Sequence, residues 1–166
     1  GSASSRSCVR RSPMSAAGGT CWLERMLANY NIAVRDVTVE LTEQCAAGDA
    51  EALRQAVKAL HALGARIALD DFGEGHSNLR RWKELQPDFV KIDKLLTQGI
   101  ANCPQNVALV RAIAGLGNAM GSELIAEGME NAKDLRVLRD LGIALGQGYL
   151  LGPPAPELLP ALPEAV

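Results

Sequence analysis

Short segments that read as β-strands alternate with helical segments from residue 37 to residue 152, and the strand segments end on charged or amide side chains. This alternation constrains the fold more than any other feature of the chain. In VTVELTE (37–43), Val37, Val39 and Leu41 alternate with Thr38, Glu40 and Thr42, the two-residue period of a strand. A helix is predicted over 48–63, where Leu53, Val57, Leu60 and Leu63 share a face and Gly64 stops it. ARIALDD (65–71) is the next strand, followed by a Gly-rich turn and a short helix from Ser77 carrying Leu79, Trp82 and Leu85. Pro87 precedes the strand DFVKID (88–93). Residues 104–120 return to helix through Val107, Val110, Ile113, Leu116 and Met120, and SELIAEG (122–128) is a strand. Asn131 caps a helix that turns Leu135, Leu138 and Leu141 inward, and GQGYLLG (146–152) is a last strand or strand end. Upstream, Trp22, Met26, Leu27 and Tyr30 predict a helix over 21–31; downstream, a proline-rich tail leaves room only for a short helix near 157–162. Such alternation is the pattern of parallel α/β folds, whose ligands sit at the carboxyl ends of the strands.

Those ends carry Glu40 and Glu43, Asp70 and Asp71, Lys91 and Asp93, Glu127 and Glu130, and Gln147. One acidic strand end means little. Several brought to one rim repel one another, and a cation relieves the repulsion. Oxygen donors without His or Cys favour Mg²⁺ or Mn²⁺ over zinc. Asp70 and Asp71, adjacent on a turning strand, can serve two neighbouring ions. Lys91 stands in an otherwise apolar strand, which points to a functional charge. Glu43 and Glu130 read equally well as helix-start carboxylates, and Asp93 as a cap for the turn after it. Trp22 and Trp82 recur with aliphatic residues at helical spacing and read as packing groups.

Composition narrows the rest. The chain has 166 residues, 48% of them hydrophobic and 22% charged, with a net charge of −2, so it supports a real core and offers no basic footprint for DNA or RNA. No apolar run is long enough for a membrane helix, and the N-terminal arginines lack the apolar stretch of a secretory signal. Cys8, Cys21, Cys45 and Cys103 show no metal spacing and read as free thiols of a reducing compartment. His61 and His76 are too far apart to suggest zinc, and His76 reads as a loop residue. The expected location is the cytoplasm, alone or as the cytoplasmic part of a larger signalling protein.

Taken together, ELTE (40–43), ALDDFGEGHSNL (68–79), FVKID (89–93), LIAEGME (124–130) and QGYLLGPP (147–154) resemble the EAL family of cyclic di-GMP phosphodiesterases in order, spacing and strand context. The resemblance implies a (β/α)8 TIM-barrel fold and hydrolysis of cyclic di-GMP to linear pGpG with two Mg²⁺ or Mn²⁺ ions. It implies that Glu40, Asp70, Asp71 and Glu127 belong to the metal site, with Asp70 able to bridge both ions. Lys91 matches a lysine that orients or activates water, and Glu43 a glutamate that braces the loop after Asp71. Glu130 and Gln147 match positions near the second metal and the attacking water. Loop 72–76 matches a mobile loop coupled to dimerisation; it reads FGEGH, where Thr and Tyr are usual at positions 74 and 76.

The chain also departs from that family. A barrel of this kind takes about 250 residues. The expectation is therefore an irregular, tag-derived segment over 1–20 and a partial EAL domain over 21–166, truncated to about five βα units. The only Glu-Ala-Leu, at 51–53, falls after ELTE inside a predicted helix, with Leu53 on the buried stripe, and reads as an ordinary helix surface. By the resemblance, the family's signature glutamate, on an early strand well upstream of ELTE, and an asparagine from the strand preceding ELTE, near SCVRRS, are metal ligands; neither has a counterpart here, since the first asparagine is Asn29. Hydrolysis by this chain alone is expected to be impaired. The alternative is an inactive module that binds cyclic di-GMP or a protein partner. An open sheet exposes an edge and apolar helix faces, so a homo-oligomer, most simply a dimer, is expected, with a GGDEF or sensory domain upstream in the parent protein.

Overall fold

In the computed structural model, which describes residues 23–42, 50–73 and 78–153, two compact units divide the chain between Ala68 and Leu69. Glu43, the loop segment 74–77 with His76, Trp22, three of the four cysteines and the tail helix expected at 157–162 lie outside the described residues.

The first unit holds helix α1 (23–28), strand β1 (Thr38–Leu41), helix α2 (Ala50–Ala62) and the start of strand β2 (Arg66–Phe72). Leu27, Leu41, Val57, Leu60, Ala65 and Ile67 are buried in it. Helix α1 stops three residues short of the expected end at 31, because Asn31 takes a left-handed φ of 55° and residues 29–31 form a turn. Tyr30, expected on the apolar stripe, is consequently exposed.

The second unit continues β2 and adds helix α3 (Asn78–Leu85), strand β3 (Phe89–Ile92), helix α4 (Lys94–Thr97), helix α5 (Pro104–Met120), strand β4 (Glu123–Ala126), helix α6 (Ala132–Asp140) and strand β5 (Leu145–Gly146). All four residues of β3 are buried, as in a strand covered on both faces. The hydrogen-bonded order is β1-β2-β3-β4-β5. Strands β3 and β4 pair in parallel with Lys91 opposite Ile125 and Ile92 opposite Ala126, and β4 and β5 pair in parallel with Ala126 opposite Gly146. The core gathers Leu69, Phe72, Trp82, Val90, Ile92 and Leu138 with their aliphatic neighbours. Trp82 is wholly buried and meets the Phe72 ring edge-on at 5.1 Å, which fulfils its reading as a packing group. Its Nε1 donates to Ser122 Oγ at 2.9 Å, and Ser122 donates to the Pro87 carbonyl at 2.7 Å, so the polar tip is satisfied inside the core.

Of the apolar residues that α3 carries, Trp82 and Leu85 are buried and Leu79 is exposed. Leu116 is partly exposed on α5. Of the two readings of 146–152, the strand end is the one found: β5 is Leu145–Gly146, and beyond it the chain folds back on Met129, whose N–H donates to Gln147 O at 3.1 Å and whose carbonyl accepts from Leu150 N–H at 2.8 Å. Asn131 caps α6 as expected, its Oδ1 accepting from the N–H groups of Lys133 and Asp134. No helix among the described residues is long and apolar enough to cross a membrane.

Candidate metal centre

Strand β2 brings Asp70 and Asp71 to its carboxyl end. Adjacent residues of a regular strand point to opposite faces, so two neighbouring carboxylates should not converge. Asp71 breaks that rule: its φ is 56°, a left-handed conformation that aspartate tolerates better than most residues. Oxygens of Asp70, Asp71 and Glu127 then lie within 4.8 Å of one another. A strained backbone at a convergence of side chains is where function is often found.

Glu127 arrives from the next strand but one. The parallel register carries it just past β4, where its N–H donates to Ile92 O at 3.1 Å. Gln147 follows β5 in the same way, its N–H donating to Ala126 O at 2.8 Å. Parallel pairing thus levels the carboxyl ends of β2, β4 and β5 into one rim. Two glycines make the turns possible. Gly128 has φ 67°, and a Cβ there would sit 2.7 Å from Lys94 Cβ. At Gly148 a Cβ would sit 2.2 Å from Met129 N.

Lys91 stands between the carboxylates. Its Nζ donates to Asp70 Oδ1 at 2.7 Å and lies 2.8 Å from Glu127 Oε1, with only 6% of the lysine side chain exposed. The Gln147 amide donates to the same Glu127 oxygen. Burial works against the Lys91 charge, but hydrogen bonds and attraction from Asp70 and Glu127 outweigh it and hold the ammonium above its ordinary pKa. Burial pushes Glu127 above the usual carboxylate range; Lys91 opposes the shift, while Asp70 and Asp71 add repulsion. Three carboxylates and one ammonium leave the cluster with excess negative charge, and its oxygen-only donors suit a hard divalent cation.

The structure therefore brings together five of the residues singled out from the sequence: Asp70, Asp71, Lys91, Glu127 and Gln147. Glu40 is exposed on β1, in the first unit. Glu130 is exposed in the turn before α6 and is not a member of the carboxylate cluster. Asp93 is a cap, as read from the sequence: its Oδ1 accepts from Leu95 N–H at 2.7 Å. Glu51 is exposed on α2 and hydrogen-bonded to Arg54 and Gln55, as expected of an ordinary helix surface. Sequence reasoning missed Thr97, whose buried hydroxyl donates to the Glu127 carbonyl. A lone threonine in a four-residue helix leaves no motif to find.

The EAL domain family model matches residues 10–154. The cyclic di-GMP phosphodiesterase PdeR of Escherichia coli is 35% identical over 136 residues, covering 82% of this chain and 21% of PdeR. The chain thus spans about a fifth of that relative's length. The EAL domain of Mycobacterium smegmatis DcpA superimposes with a TM-score of 0.79 at 31% identity, over 85% of this chain and 63% of that one. BlrP1 of Klebsiella pneumoniae, solved as a manganese/cyclic di-GMP complex, gives a TM-score of 0.78 at 31% identity, over 86% of this chain and 36% of BlrP1.

Proposed function

The chain belongs to the EAL domain family, and from that membership we propose that it carries part of a divalent-metal site for hydrolysis of cyclic di-GMP to pGpG. The observation that carries this reading is the convergence of Asp70, Asp71 and Glu127 on one rim, with Lys91 braced between two of them. Those three carboxylates would hold Mg²⁺ or Mn²⁺, with Glu40 as a further ligand. When bound, such ions polarise the phosphodiester and neutralise its developing charge. The protein's own side chains supply the rest. Lys91 offsets the repulsion between the Asp70 and Glu127 carboxylates and orients both, and its ammonium offers a donor to a water or phosphoryl oxygen. Gln147 fixes the Glu127 carboxylate from the other side. Glu130 and Glu43 complete the reading, near the second ion and behind the loop after Asp71.

Incubation of the purified chain with cyclic di-GMP and Mn²⁺, with pGpG followed by chromatography, tests it. Product that vanishes in D70N supports hydrolysis. Product that persists in D70N would sink the assignment of this site.

A second reading is a module that binds cyclic di-GMP without cleaving it. What favours it is Glu51-Ala52-Leu53, which lies on α2 with Glu51 exposed rather than at a strand end. Calorimetry with cyclic di-GMP in EDTA, paired with the product assay in Mn²⁺, separates the two: binding in EDTA with no pGpG formed once Mn²⁺ is supplied belongs to the second reading.

A further inference from the structure

Thr97 ends α4 with no exposed surface. A hydroxyl in such a place costs stability unless it is used. Here it is used twice over: Oγ1 lies 2.5 Å from the Glu127 carbonyl and 3.4 Å from the Asp93 carbonyl. One proton serves one acceptor well, and the shorter contact is the one to Glu127. Glu127 needs that donor. It has just left β4, so its carbonyl has no place in the β4–β5 ladder, where Ala126 O takes the Gln147 N–H and Gln147 O takes the Met129 N–H. The Glu127 backbone is thereby clamped on both sides, its N–H to Ile92 and its C=O to Thr97. Gly128 then presses the turn against Lys94, the first residue of the same short helix.

Helix α4 is itself held. Asp93 caps its start, and the segment after it is bolted by the buried Asp134 carboxylate, which accepts from Gly99 N–H at 2.8 Å and Ala101 N–H at 2.9 Å. Lys91 and Thr97 therefore reach Glu127 from opposite ends of one short, anchored segment: Lys91 grips the carboxylate and Thr97 grips the backbone that carries it.

We propose that Thr97 is a positioning residue of the Asp70–Asp71–Glu127 centre, its hydroxyl fixing the Glu127 backbone so that the carboxylate stands where a divalent cation needs it. This deepens the reading of the rim as a metal site and rests on it. The hydroxyl carries the metal affinity, and the methyl group carries the packing.

Two variants separate these contributions. T97V keeps the shape and removes the donor; T97S keeps the donor and removes the methyl. Mn²⁺ binding to the full chain is read by electron paramagnetic resonance of the free ion, with thermal unfolding in EDTA alongside. The expected result is that T97V weakens Mn²⁺ binding about tenfold while T97S stays within about twofold of wild type, the size of effect typical when a partner of a ligand is lost. Both variants are expected to lower the melting temperature in EDTA, T97V by leaving the Glu127 carbonyl without its donor and T97S by removing the methyl, so the Mn²⁺ affinity is the readout that tells them apart. A T97V affinity equal to wild type, with D70N clearly weakened, would overturn the role of Thr97 and leave the metal site standing. Wild type that binds no more Mn²⁺ than D70N would overturn both.

Discussion

Lys91 shows how one side chain can be read correctly for its importance and incompletely for its partners. A charged residue inside FVKID signals function, but a strand pattern cannot say which carboxylates will meet it. The structure answers with Asp70 and Glu127, from 21 and 36 residues away in sequence, at 2.7 and 2.8 Å. Removing one partner of a buried charge cluster leaves the others uncompensated, at a cost of about 3 kcal/mol. K91M should therefore lose about that much stability to urea in EDTA, and added Mn²⁺ should restore K91M more than it stabilises wild type. A K91M chain as stable as wild type in EDTA would refute the bracing role. The pH dependence follows from the sign of the shift. The folded pKa of Lys91 is raised, so its contribution is fully present below the ordinary lysine value and lost as pH rises through the folded one. The gap between wild type and K91M should hold through neutral and mildly alkaline solution and close only beyond the ordinary lysine range.

At the scale of elements, hydrophobic period located the strands and helices well, and it failed where a contact rather than a period decides the end. Strand β5 is the clearest case. GQGYLLG has the composition of a strand, yet only its first residue, Gly146, pairs with β4, beside Leu145, before the chain turns back on Met129. The reason is the approach of two backbones: a Cβ at Gly148 would meet Met129 N at 2.2 Å and Met129 O at 2.4 Å, and main chain cannot swing aside as a side chain can. G148A should cost about 2 kcal/mol or more in urea unfolding and displace Gln147 from Glu127. Wild-type stability in that variant would show that the turn has room the geometry denies. Helix α4 and its hydroxyl contact to Glu127 were equally invisible, since four residues are too short for a helical period to register.

For the whole molecule, we propose self-association, on the exposed leucines of α5, Leu109 and Leu116, and the edge expected of an open sheet. Light scattering across micromolar concentrations should give a mass above that of one chain; a monomer mass independent of concentration would end that proposal. By itself the sequence determined the fold class, the order of strands and helices, the family, and five of the residues that form the cluster, because period and motif order are local properties written along the chain. Only the tertiary structure decided that Asp70 and Asp71 turn to the same side, that Lys91 bridges two strands' carboxylates, that β5 ends after two residues, and that Thr97 holds the backbone of Glu127. These depend on a left-handed dihedral, a strand register and the close approach of distant segments. Such quantities are set by packing in three dimensions, and no short window of sequence contains them.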